Sequence, residues 1–253
     1  RTIDVQNASD TVRQVLEILI TEDVCDFIET DLRGNIFEDL TLYNLCNPYT
    51  IIGDLIVANG ATLTIEPGVQ IEFEGPYSIT VIDGAKLMSL GSEEDSITIS
   101  GISWNGIDIK TPGSMIQYTR IIEEGNSSQG DYLLKLTGSH IDKSHIYGGA
   151  RGIQLNDSSI VSRSKIHDIR NEAIQLYQRS VAYGNTLYDI GTDMNYDAAV
   201  QTYDRSYFLN NKVYSTLDDP NTIAVAAQSS GVIAGNTIGS DNGIHGKFGI
   251  LVR

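Results

Sequence analysis

In the second half of this 253-residue chain, Lys143, His145 and Tyr147 are followed by Arg163, Lys165 and His167, then by Thr186 and Tyr188, then by Lys212 and Tyr214. Alternate residues of a strand point the same way. Tyr147, His167, Tyr188 and Tyr214 therefore fall in one outward column, with basic residues beside them. A neighbouring set offers Gln154, Gln175 and Gln201, then Tyr177 and Tyr203, then Arg179 and Arg205. Guanidinium and ammonium groups pair with carboxylates, and flat aromatic faces suit sugar rings. Abstraction of an α-proton needs a base and a cation that holds the enolate-like intermediate. Arg163, Lys165, His167 and Tyr188 are of the right types. These residues allow two chemistries: binding of an acidic polysaccharide, or a lyase or epimerase reaction upon it. Cross-strand ladders on a solvated face use the same residue types, and that plainer reading outweighs catalysis.

The acidic residues raise a second question. Asp193 and Asp197, Asp218 and Asp219, and Asp241 lie in stretches that lengthen the later units. Stacked on one edge, their carboxylates could hold calcium; as polar turns they need hold nothing. No EF-hand spacing is present, and no cofactor is required by any motif. His140, His145, His167 and His245 lack the H-E-x-x-H spacing of zinc proteases. A nucleophile elbow and a P-loop are also missing. The net charge of −16 argues against nucleic acid, whose phosphates need a basic face. No apolar run is long enough to span a membrane.

What must position these residues is a repeat. "GIQLNDSSIVSRSKIHDI" (152–169), "AIQLYQRSVAYGNTLYDI" (173–190), "AVQTYDRSYFLNNKVYST" (199–216) and "AVAAQSSGVIAGNTIGSD" (224–241) align without gaps. Ile153, Ile174, Val200, Val225 and Ile250 open successive units at spacings of 21, 26, 25 and 25 residues. Eleven residues into each aligned unit stand Ser164, Asn185, Asn211 and Asn236. Short alternating strands with no helix between them point to a coil in which each strand pairs with its own copy one turn later. The Asn residues read as a ladder at a corner, where the amide bonds its copy and where Asn tolerates left-handed backbone. "TLTIEPGVQIEF" (62–73) reads as two strands joined by a tight corner at Glu66-Pro67-Gly68.

The first half carries a linear motif. "YTIIGDLIVANGATLTIEPGVQIEFEG" (49–75), then "ITVIDGAKLMSLGSEEDSITISG" (79–101), then "SWNGIDI" (103–109), resembles the N-terminal coils of secreted β-helix proteins of the pectin-lyase-like superfamily. The resemblance spans roughly residues 35 to 253. It implies an all-β fold, a single-stranded right-handed parallel β-helix, and export to the cell surface or beyond. It does not imply an activity. The Asp-Pro-His signature of mannuronan epimerases and the paired motifs of polygalacturonases are missing.

Residues 1–34 are expected to cap the open N-terminal end, with a short helix from Ser9-Asp10 onward, or to be the tail of a preceding domain. The stretch "FGILVR" (248–253) reads as the start of a further coil, so the chain is expected to be part of something longer or to stack head to tail into a filament. Cys25 and Cys46 are expected to form a disulfide, with two buried free thiols as the alternative. Asn7, Asn126 and Asn156 each open a glycosylation sequon. The leading expectation is a non-catalytic extracellular module, structural or adhesive, that contacts polysaccharide or its own copies.

Overall fold

The computed structural model describes residues 30–125, 132–191, 198–214, 223–239 and 250–252. Apolar side chains at every second position of strands only three to nine residues long cannot be buried by one isolated hairpin. Here they are buried by stacking. Among the described residues every strand pairing is parallel, and the chain winds into a solenoid of about eight turns. The architecture expected from the resemblance is therefore observed.

Each turn contributes three faces. Face 1 is a nine-stranded sheet running from Leu40–Leu42 to Val232–Ala234. Faces 2 and 3 belong to one continuous 18-stranded sheet. Face 2 stacks Gln70–Phe73, Ile97–Gly101, Thr119–Glu123, His145–Gly148, Lys165–Ile169, Thr186–Ile190, Lys212–Tyr214 and Thr237–Gly239. Face 3 stacks Ile79–Val81, Ile107–Ile109, Tyr132–Thr137, Arg151–Asn156, Ile174–Leu176, Ala198–Thr202, Ile223–Ala227 and Ile250–Val252. The long strand Tyr49–Val57 joins the two faces: its first half pairs with Gln70–Phe73 and its second with Ile79–Val81. Strand Asp31–Ile36 pairs with it and straddles the boundary expected at residue 34.

The core is a stack of aliphatic rows. Ile99, Ile121, Ile146, Ile166, Leu187 and Val213 superimpose on face 2, all fully covered. The Trp-x-Gly-Ile element closes one side. Trp104 stacks on Phe73 at 4.3 Å and donates Nε1–H to the Ile122 carbonyl at 3.0 Å. Gly106 sits at φ +85°, where a Cβ would lie 2.6 Å from the Leu133 carbonyl oxygen, so this position takes glycine.

The Asn ladder is present and lies inside. Asn185 Oδ1 accepts from Ser164 N–H at 2.9 Å, Asn211 Oδ1 from Asn185 N–H at 2.8 Å, and Asn236 Oδ1 from Asn211 N–H at 2.7 Å. Each amide donates in turn to a carbonyl one rung back in the strand before the corner: Val161, Ala182 and Phe208. One expectation is corrected. The left-handed residue is not the Asn but the residue before it: Lys143, Arg163, Gly184, Asn210 and Gly235. The amide is selected for its bonds, because it saturates buried backbone that would otherwise stay unpaired. The ladder also extends back through Ser144 to Thr119 and Ser89.

Asn211→Ala strips partners from the Asn185 N–H and the Ala182 carbonyl, both buried. It should cost about 3 kcal/mol, and Asn185→Ser, which copies Ser164, about 1 kcal/mol. Urea unfolding of the two variants checks the order; equal losses would contradict it.

Candidate functional site

Faces 1 and 2 meet at a corner where six successive turns each place one residue in left-handed backbone. Three successive turns put long side chains there: Tyr118 (φ 45°), Lys143 (φ 46°) and Arg163 (φ 49°). The next turns use Gly184, Asn210 and Gly235. The corner thus changes from bulky and basic to small, and a cleft of about 530 Å³ opens over the bulky rungs. Tyr118, Arg120, Lys143, His145, Arg163 and Lys165 line it, with Ser144 beneath and Glu93 and Ser96 at one end.

Two of the cations are anchored. Arg163 reaches back to Asp142 with Nε to Oδ1 at 2.8 Å and Nη2 to Oδ2 at 2.5 Å. Asp142 is buried, and Ser162 donates to the same carboxylate at 2.7 Å. Burial alone would raise the Asp142 carboxyl, but the guanidinium and the hydroxyl outweigh it and hold the group below its usual value. Lys143 Nζ donates to Tyr118 Oη at 2.7 Å and sits 5.0 Å from the centre of that ring. Along face 2 the register runs Arg120, His145, Lys165, Thr186, Lys212, Thr237. His145 is pushed down to about 4, first by burial and then by His167, Lys165 and Arg120. Near neutral pH a neutral side chain therefore separates each cation of the column from the next.

Beside the cleft stands the expected aromatic column. Tyr147 and His167 stack at 4.9 Å and 6°, and His167 and Tyr188 at 4.4 Å and 12°. His167 is 9% exposed, so its faces are covered. Its Nδ1–H donates to Asp168 at 2.7 Å, and its Nε2 meets Nε2 of His145. Arg120 donates to Tyr147 Oη at 3.3 Å. Burial, with Asp168 and Asp189 nearby, raises the Tyr188 phenol. Tyr214 and Lys212 lie one turn further along this face.

The rest of the expected groove lies elsewhere. Gln154, Gln175 and Gln201 are in register on face 3, and Tyr177 stacks on Tyr203 at 4.7 Å. Arg179 and Arg205 occupy a different corner, between faces 3 and 1, in left-handed turns. Beside the glutamines, Glu172 is buried between the Tyr132 hydroxyl at 2.5 Å, Arg151 at 3.5 Å and the Gln201 amide. The thirteen sugar-contact candidates therefore form two clusters. Of the four residues with lyase-like chemistry, Arg163 and Lys165 line the cleft, while His167 and Tyr188 belong to the adjoining stack. Arg120, Tyr118 and Asp142 escaped sequence reading, although "QYTRII" (117–122) repeats the spacing of "DKSHIY" (142–147). The calcium candidates Asp193, Asp197, Asp218, Asp219 and Asp241 lie outside the described residues, as do Cys25, Asn7 and Asn126. Among the described residues, no group of three His, Cys, Asp or Glu could hold a metal ion, and no helix is long and apolar enough to cross a membrane. Cys46 is buried.

No protein-family model matches the chain. A 66-residue stretch is 38% identical to Protein bark beetle of Drosophila melanogaster, covering 26% of this chain and 2% of that protein. The chain thus matches only a small part of that relative's length. Among solved structures, an alginate lyase from Paenibacillus sp. str. FPU-7 is similar at 15% identity and a TM-score of 0.40, over 77% of this chain and 92% of that one. The periplasmic alginate epimerase AlgG is similar at 10% identity and a TM-score of 0.25, over 90% and 79%.

Asp142 has a folded pKa below its usual 3.8, so its contribution to stability is complete above that value and fades as pH falls through the folded one. Asp142→Asn should therefore be less stable than the parent at pH 7, with the gap closing toward pH 2–3. Urea unfolding at both pH values checks this; an equal gap at both would contradict it.

Proposed function

We propose that this β-helix is an extracellular, non-catalytic module that binds an acidic polysaccharide in the basic cleft. One observation carries the reading. On a chain of net charge −16, four cations and a tyrosine converge on one open cleft, and Asp142 and Glu93 are the acids beside them. A cleft of opposite sign to its protein concentrates polyanions at that place alone. The anchoring of Arg163 and Lys143 supports binding, because donors already held in place lose little freedom when a carboxylate or sulfate arrives.

A second reading, a lyase or epimerase on the same polymer, is favoured by His145. It presents a neutral imidazole between Arg120 and Lys165, the arrangement that a base beside a charge-stabilising cation requires.

Gel retardation against alginate, pectate and a sulfated polysaccharide tests the first reading. One of them should slow the protein at low salt, with release as salt screens the cleft. Lys165→Ala and Lys143→Ala should each weaken retention several-fold, and the double variant at least tenfold. Retention unchanged in the double variant would rule the cleft out. Growth of ultraviolet absorbance from unsaturated uronate, lost in His145→Ala, would replace the binding reading with the lyase.

A further inference from the structure

The facing imidazoles of His145 and His167 do not depend on what the cleft binds. They sit diagonally on adjacent turns of face 2, since His145 pairs with Lys165 and His167 with Tyr147. Their Nε2 atoms meet across the turn. The rings are held in place: His167 is sandwiched between Tyr147 and Tyr188, and His145 lies 4.9 Å from the Tyr147 ring. Asp168 can only accept from His167, so the bond at 2.7 Å puts that proton on Nδ1 and turns the Nε2 lone pair toward His145.

We propose that His145 and His167 form a two-imidazole site for a borderline divalent transition metal, copper or zinc, with Asp168 as the outer carboxylate and water completing the coordination. The donor set argues for this class of ion. Imidazole suits copper and zinc, whereas calcium needs a cage of oxygens. A carboxylate on the far nitrogen of a ligating histidine is the usual second support of such a site, fixing the tautomer and raising ligand basicity. Two nitrogens at about 2.0–2.1 Å from one tetrahedral ion stand roughly 3.3 Å apart, so the pair must spread to admit the ion. Several groups face the site. Arg120 and Lys165 flank His145 on the turns either side and oppose a dication; Asp168 offsets part of that charge. The balance calls for a ligand bond with covalent character rather than simple ion pairing, which again selects copper or zinc over calcium or magnesium.

The test is calorimetric titration of untagged, chelator-treated protein with zinc chloride, and with copper sulfate followed by electron paramagnetic resonance. One equivalent should bind, and the copper spectrum should show nitrogen hyperfine coupling. His145→Ala and His167→Ala should each weaken binding at least tenfold, and Asp168→Asn about tenfold, with the far-ultraviolet circular dichroism unchanged. Binding that persists undiminished in the His145→Ala/His167→Ala double variant would place the ion elsewhere and overturn the proposal, as would the absence of any binding by the parent. If a single variant fails to fold, nitrogen coupling that is absent from the parent copper spectrum is sufficient to reject it.

Discussion

Parallel pairing of every strand with its own copy one turn later is the constraint on which the rest depends. Hydrogen bonding fixes the rise at about 4.8 Å per turn, so residues at equivalent positions are forced into columns whatever their chemistry. Aliphatic columns profit, because flat rows such as Ile121, Ile146, Ile166 and Leu187 interlock with no water between them. Polar columns must solve a problem, since each corner interrupts the ladder and leaves backbone groups buried without partners. Ser144, Ser164, Asn185 and Asn211 solve it by reaching one rung along to a backbone N–H. A second corner does the same with Ser114, Ser139 and Ser159. These side chains do for the solenoid what caps do for a helix.

The same constraint creates the candidate site. A cleft in most folds assembles residues distant in sequence, whereas here it assembles residues one period apart. Tyr118, Lys143 and Arg163 share a corner because 25 and 20 residues separate them, as they separate the ladder residues Thr119, Ser144 and Ser164. Left-handed backbone at these positions disfavours bulky residues, and the turns beyond the cleft revert to glycine or asparagine. The local bend that this conformation demands also swings Arg163 back over the preceding turn, where buried Asp142 receives it.

Much of this was legible in the sequence. The period, the Asn column and the stacking of Tyr147, His167 and Tyr188 follow from spacing alone, because strand pairing leaves no freedom to place them otherwise. The angle between faces does not follow from spacing. It separates Arg179 and Arg205 from the cleft, and it depends on paired left-handed residues at 178–179 and 204–205 that alternation cannot reveal. Nor does alternation show that Asp142, on a three-residue strand, turns its carboxylate to a neighbour's guanidinium rather than to solvent. Thr119 at the ladder position hides the turn that contributes Tyr118 and Arg120, because threonine interrupts the run of Ser and Asn.

A column of like charges on a rigid repeat should repel itself, and here it is spaced so that it does not. Arg120 and Lys165 are two turns apart with neutral His145 between them, and Lys165 and Lys212 are two turns apart with Thr186 between them. Two turns are about 9.5 Å, comparable to the screening length at physiological salt. Repulsion along the column is therefore weak in the free protein. In the corner column, Arg163 and Lys143 are closer, but each has a partner that offsets or orients it. The basic cleft can thus exist unoccupied at little cost in stability, with its donors fixed at the repeat of the backbone. Under the proposed function, such a surface would select extended polyanions over compact ones, because only an extended chain can meet successive turns without bending.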